Sequence, residues 1–329
     1  MFLEPMLRKE PAWIKVFTGI RAEDFWLMIE QMESEFYEYE LTRHNRENRK
    51  RGIGAGRTFK QSLAQRTVGV LAYLRLNTSQ TVIATMFGLR QYEISRDLRR
   101  LLPLIRDVLP CPEVWEVNED DFAAMLPEQL EDGLALIDAT EQRVSRPGKN
   151  NEIRKLFFSG KQHEFTLKTQ LATDGNWHIA AVSVPVPGSI HDKKLCDQLQ
   201  TLERLPTGCE AVADKGYQGL ATDTVSTLST CDVEIGVEKQ VPRVKAYTPF
   251  KKPKGQELTE EQKAFNRTLA SIRIRVEHCI GWIKNWKILS ERFRCSHSIY
   301  GVVMQTICGL VNQQTLRWQM VKGASAYCA

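Results

Sequence analysis

The hydrophobic period of this chain changes at Gly133, and that change fixes what each part can fold into. Up to that point apolar residues recur at helical spacing. Beyond it come GLALIDATEQRV, EFTLKTQLATD and WHIAAVSVPVP, three β-rich runs joined by turn signals such as Asp174-Gly175-Asn176. His191 to Leu199 reads as a short helix after a Pro187-Gly188 turn. CEAVADKGY is a fourth strand ending in a polar loop, VEIGVEK a fifth, and residues 258–289 a long helix. This order predicts an α/β domain, a mixed sheet flanked by helices, preceded by an all-α region.

A chain of 329 residues has room for two domains, and 42% hydrophobic with 26% charged residues is the balance of a soluble globular protein. No apolar run approaches the roughly 18 residues needed to span a bilayer. The opening MFLEPMLRKEPAW has no apolar core followed by a small-residue cleavage site, so a cytoplasmic setting without membrane association is expected. Eight cysteines without a CxxC pair suggest neither a disulfide framework nor a zinc site.

Residues 21–39 read as an amphipathic helix, residues 43–60 as a basic, glycine-rich arm, and residues 61–76 as a second helix. Thr78 and Ser79 are N-cap candidates for a third. In QTVIATMFGLRQYEISRDLRRLL, residues 80–102, Ala84, Gly88 and Ile94 suit two closely crossing helices: a small residue, a turn glycine and an apolar plug. Between Glu40 and Arg106 there are fourteen lysines and arginines against four acids. A helix-turn-helix over about 61–105 would offer Arg90, Gln91, Tyr92, Ser95, Arg96, Arg99 and Arg100 to double-stranded DNA. An ordinary helical hairpin with a solvated basic face is the other reading. Residues 113–132 carry no lysine or arginine, and residues 111–132 read as an acidic linker.

Three carboxylates stand out. Asp138 interrupts the apolar run Leu134 to Thr140, where an acid costs stability unless it is paired or holds a metal. Asp214 ends a second apolar run, before a glycine that lets the chain turn away. Glu277 lies on the long helix, whose start carries a Thr259/Gln262 capping box and whose buried stripe is Phe265, Leu269, Ile272, Val276, Ile280 and Ile283. Arg273, Glu277 and Lys284 fall within a narrow arc beside that stripe, with Arg273 and Lys284 candidates for holding a phosphate backbone. Singly, each acid is as well explained by a turn, a cap or a surface ion pair; all three in strand, strand, helix order point to metal-assisted phosphoryl transfer.

LIDATEQRV, FFSGKQHEFTLKTQ, PGSIHDKKL, VADKGYQG and IRVEHCIGWIK together resemble the DDE-type transposases of the bacterial insertion sequence 5 group, relatives of the Harbinger transposases. The resemblance runs from about residue 20 to residue 318. It implies a ribonuclease-H-like fold with Asp138 on the first strand, Asp214 after the fourth and Glu277 on a late helix, these three being both catalytic residues and metal ligands. Arg273, Glu277 and Lys284 match a helix signature of related enzymes, with Ala270 where those have a tyrosine. The domains expected are a helical DNA-binding domain over 1–110, the linker, a catalytic domain over 133–318 and a tail over 319–329.

The implied chemistry uses two Mg2+ or Mn2+ ions per active site to cut DNA at element ends and join the freed 3′-hydroxyl to target DNA. Lys161, His163 and Lys168 are candidate phosphate contacts; His191 and Asp192 are candidates for the site edge, with a helix N-cap the other reading of Asp192. The basic stretch Val241 to Gly255 is either a DNA-facing loop or a solvated insertion. A homodimer or larger synaptic complex is expected. A non-catalytic DNA-binding regulator and a nuclease without strand transfer are the rival functions.

Overall fold

The computed structural model describes residues 4–44, 59–119, 122–130, 132–220, 227–231 and 238–326. In chain order its helices begin with α1 Glu4–Lys9, α2 Ala12–Thr18, α3 Ala22–His44, α4 Leu63–Leu76, α5 Gln80–Met86 and α6 Gln91–Asp107. Strands and helices then alternate: β1 Glu113–Trp115, β2 Leu134–Arg143, α7 Asn151–Phe157, β3 Phe158–Ser159, β4 Glu164–Thr173, β5 Ile179–Ser183 and β6 Val186–Pro187. After them come α8 Asp192–Gln198, α9 Thr201–Arg204, β7 Glu210–Ala213, β8 Thr227–Cys231, β9 Glu238–Pro242 and β10 Lys245–Tyr247. The described chain closes with α10 Glu260–Lys284, α11 Lys287–Ser290 and α12 Tyr300–Ala326. No described helix is long and apolar enough to cross a membrane.

Packing divides the chain into two compact units, Met1–Cys111 with Ile283–Ala329, and Pro112–Trp282. The first is helical. Its centre is α4, buried along nearly its whole length. Ser62 caps α4 by accepting from the Gln65 N–H at 3.1 Å, and Asn77 ends it in the left-handed region at φ 46°. Ser79 caps α5, Gly88 takes φ +65° at the turn into α6, and the Arg90 N–H donates to the Glu93 carboxylate at 2.8 Å. Gln65 and Gln61 hold that turn by donating to the carbonyls of Phe87 and Gly88, at 2.5 and 2.7 Å. Residues 283–318, expected with the strands, pack instead in this unit. Asn312 donates to the Pro110 carbonyl at 3.0 Å, Arg317 pairs with Asp24, and Asn77 donates to Glu291 at 3.1 Å. The basic arm expected at 43–60 falls largely on residues 45–58, outside those described.

The second unit is built on a mixed sheet in the order β1-β5-β4-β2-β7-β10, with β3 and β6 also paired to β4. β2 runs antiparallel to β4 and parallel to β7; β7 is parallel to β10, and β1 to β5. Alternation along the strands gives each face its own core. Ala135, Ile137, Ala211 and Ala213 pack beneath Leu195 of α8, Leu202 of α9 and Leu199 between them. Leu136 and Val212 take the other face, against Leu269 and Val276 of α10. Fully burying side chains of this kind is worth about 1.5–3 kcal/mol each. The capping box of α10 forms as its sequence indicates: the Gln262 N–H donates to Thr259 Oγ1 at 3.2 Å, and Gln262 Oε1 accepts from the Thr259 N–H at 3.1 Å.

Two stretches differ from expectation. The acidic linker contributes β1, a sheet edge on β5, because Glu113-Val114-Trp115 is too short to show a period. Within the basic stretch 241–255, Lys245–Tyr247 is a strand on β7 and not loop. Most of VEIGVEK lies outside the described residues.

Candidate active site

Asp138 is the fifth residue of β2, opposite Leu171 of β4, and it stands where the parallel neighbour stops. The last β2–β7 pair is Ile137 with Ala213, so Asp138 and Asp214 are the next residues on adjacent strands. Both share the parity of Leu136 and Val212, the face that α10 covers. Asp214 therefore follows the end of its strand, while Asp138 lies mid-strand beside a shorter neighbour. Asp214 starts a 3-10 turn over Lys215–Tyr217 and accepts from the Gly216 N–H at 2.7 Å.

α10 brings Arg273 and Glu277 to the same place. Arg273 Nη2 donates to Asp138 Oδ2 at 3.3 Å and lies 3.6 Å from Glu277 Oε1. The Arg273 side chain is 13% exposed and that of Glu277 56%, so the guanidinium is inside and the glutamate reaches outward. Arg273 Nε is buried without a hydrogen-bond partner among the described residues. Lys284 is the last residue of the helix.

Burial pushes the Asp138 carboxyl up to about 6, and the charges of Asp214 and Asp192 add to the effect. The Ala139 N–H, 2.8 Å from Asp138 Oδ1, and the Arg273 guanidinium oppose it. Under the turn, Tyr217 is fully buried and donates to Gln170 Oε1 at 3.3 Å, while Gln170 donates to Thr201 Oγ1 at 2.7 Å. Tyr217 and Gln170 were not singled out from sequence. An aromatic and an amide inside β-rich runs give no sign there of meeting.

The donor chemistry fits a hard divalent cation: three carboxylates and no sulfur or imidazole. Arg273 already places a positive charge between Asp138 and Glu277. Among the described residues, no three acids, histidines or cysteines converge closely enough to form a metal-holding group. Arg273 thus joins Asp138 to Glu277, with Asp214 beside Asp138 on the neighbouring strand, and the three acids do not form a closed ligand cage.

Of the hairpin candidates, Lys161 and His163 are exposed at the β3–β4 turn, with His163 at φ 53°. Lys168 is corrected as a phosphate contact. It is 5% exposed, and its ammonium donates to Asp192 Oδ1 and the Ile190 carbonyl, both at 2.6 Å. His191 is the N-cap residue of α8, and Asp192 its first residue.

With this geometry established, relatives give it a family. The chain matches the DDE superfamily endonuclease family over residues 137–312, a span that holds all three candidate acids. This chain belongs to the DDE superfamily of endonucleases. A similar protein of Microchaete diplosiphon, named as a probable transposase for insertion sequence element IS702, is 30% identical over 261 residues, covering 79% of this chain and 83% of its own. A protein of Streptomyces albus G, whose assigned name is that of a transposase for insertion sequence element IS112, is 21% identical over 286 residues, 86% of this chain and 87% of its own. No solved structure matches. For this DDE superfamily member, the likeness to both relatives reaches well beyond the matched catalytic segment into the helical part.

In the helical unit the candidate DNA contacts differ in exposure. Arg90, Gln91, Tyr92 and Arg99 are exposed; Ser95, Arg96 and Arg100 are half-buried. Arg96 Nε donates to Asp97 Oδ1 at 2.9 Å and its guanidinium lies 4.7 Å from the Phe59 ring centroid, so it is folded back and not extended from α6. Asp97 is fully buried and bound at both oxygens by Arg66, each at 2.8 Å. Burial alone would raise the Asp97 carboxyl, but hydrogen bonds from Arg66 and Arg96 hold it below its ordinary value. Beside this clamp an open groove of about 310 Å³ is lined by Phe59, Gln61, Arg90, Tyr92 and Arg96.

Proposed function

We propose that this protein is a DNA transposase that binds the ends of a mobile element, cuts DNA with divalent metal ions and joins the 3′-hydroxyl ends to target DNA. The observation that carries this reading is Arg273 of α10 set between Asp138 and Glu277, with Asp214 following the end of β7 beside Asp138, in a chain of the DDE superfamily. The names carried by the two relatives support it. The mixed sheet with helices on both faces is read as a ribonuclease-H-like fold, and α5–turn–α6 as a helix-turn-helix.

Asp138, Asp214 and Glu277 would hold Mg2+ or Mn2+, two ions per site, which when bound supply an activated water and charge stabilisation at phosphorus. Arg273 then exchanges its carboxylate partners for the DNA backbone, and its unpaired Nε offers a further donor to a phosphate oxygen. The face bearing Arg90, Gln91, Tyr92 and Arg99 would dock on double-stranded DNA, with Lys161 and His163 touching phosphates near the cut. A homodimer or larger complex would hold two ends together.

A strand-transfer assay with labelled element ends in Mg2+ tests the proposal. Cutting and joining, both lost in Asp138→Asn, is the expected result. Binding without metal-dependent cutting would make the chain a regulator, and cutting without joining a simple nuclease.

A further inference from the structure

Lys168 is a cation almost wholly removed from solvent, and its surroundings lead to the active site from behind. It faces Glu141 across the β2–β4 ladder, three residues from Asp138 and therefore on the opposite face of the sheet. Its ammonium lies 3.7 Å from Glu141 Oε1 and donates to the Ile190 carbonyl and Asp192 Oδ1, both at 2.6 Å. Glu141 Oε2 accepts from Thr166 Oγ1 at 2.8 Å. A charge buried this deeply is retained only where such bonds replace its water.

Asp192 carries the network forward. A Cβ built on Gly216 would lie 2.7 Å from Asp192 Oδ2 and 2.9 Å from Asp214 Oδ1. The two carboxylates thus press on one glycine, and their oxygens are no further apart than those two distances together. A Cβ at 216 would force these carboxylates to shift.

We propose that Lys168 is a positioning residue: it fixes the Asp192 carboxylate against Gly216, and Asp192 in turn sets the place of Asp214. One oxygen of Asp192 is bound by the buried ammonium, so the other has a fixed direction toward the Asp214 turn. The phosphate-contact role expected for Lys168 gives way to this one. The inference rests on the reading of Asp138 and Asp214 as metal ligands.

Mn2+ binding to the purified full chain, followed by calorimetry without DNA, tests it. Asp192→Asn and Lys168→Met are expected to weaken Mn2+ binding by about 10-fold or more, the size seen when outer partners of metal ligands are removed. The double variant should bind no more weakly than the worse single one, and Lys168→Arg should recover part of the loss. Gly216→Ala, which leaves every charge in place, should also weaken Mn2+. If folded Asp192→Asn binds Mn2+ within twofold of the parent while Asp138→Asn loses it, the positioning role is wrong and the metal reading stands. If the parent chain binds no Mn2+, both fall. A Lys168→Met protein that fails to fold leaves Asp192→Asn and Gly216→Ala to decide.

Discussion

Arg273 Nη2 lies 3.3 Å from Asp138 Oδ2, so the helix and the central strand meet through an ion pair at the edge of an otherwise apolar interface. The pair has two consequences. It offsets part of the cost of burying Asp138, and it keeps a cation beside carboxylates that would otherwise repel one another.

Asp138→Asn should reduce metal-dependent DNA cleavage to the level of a chelator-treated control and leave DNA binding unchanged. The helical unit bearing the proposed DNA-binding face does not contain this residue. Parallel cleavage and gel-shift titrations check the separation; loss of binding in step with cleavage would sink it.

The raised carboxyl of Asp138 makes stability depend on pH in a defined direction. Its folded value, about 6, lies above the unfolded value near 3.8. The folded state therefore binds the proton more tightly, and this contribution is complete below about pH 3.8 and lost as pH rises through 6. In chelator, Asp138→Asn should be more stable than the parent at pH 7.5, by on the order of 3 kcal/mol, with the gap closing toward pH 4. Denaturant melts at the two pH values measure this.

Asp97→Ala should be among the most damaging changes in the helical unit. It strands the buried Arg66 and frees Arg96 from its folded-back position. A loss of about 3–5 kcal/mol is expected in urea unfolding. Arg96→Ala should cost much less, since Arg66 still satisfies both oxygens.

Arg90→Ala and Arg99→Ala should weaken DNA binding and reduce the slope of log affinity against log salt by about 1 each if the side chain meets a phosphate. A slope equal to that of the parent would remove that residue from the interface.

The candidate acids were legible because the three fall in strand, strand, helix order, and because the α10 stripe and capping box are local patterns. The supports behind them were not. Lys168 and Asp192 are 24 residues apart, and strand alternation shows that a residue is inward-facing without showing what it meets. The fate of residues 283–318 was equally hidden. An apolar helix such as α12 advertises burial, but its choice of α6 over the sheet depends on contacts such as Asn312 to Pro110.

That choice makes the helical unit discontinuous, with its first and last pieces separated by the whole of Pro112–Trp282. A ribosome must finish the sheet before α11 emerges to pack on α4 and α12 on α6. Synthesis cut short anywhere upstream would yield a chain whose first helices lack their closing partner. The helical unit gains its full set of internal partners only once α11 and α12 have been translated, after every strand of the sheet.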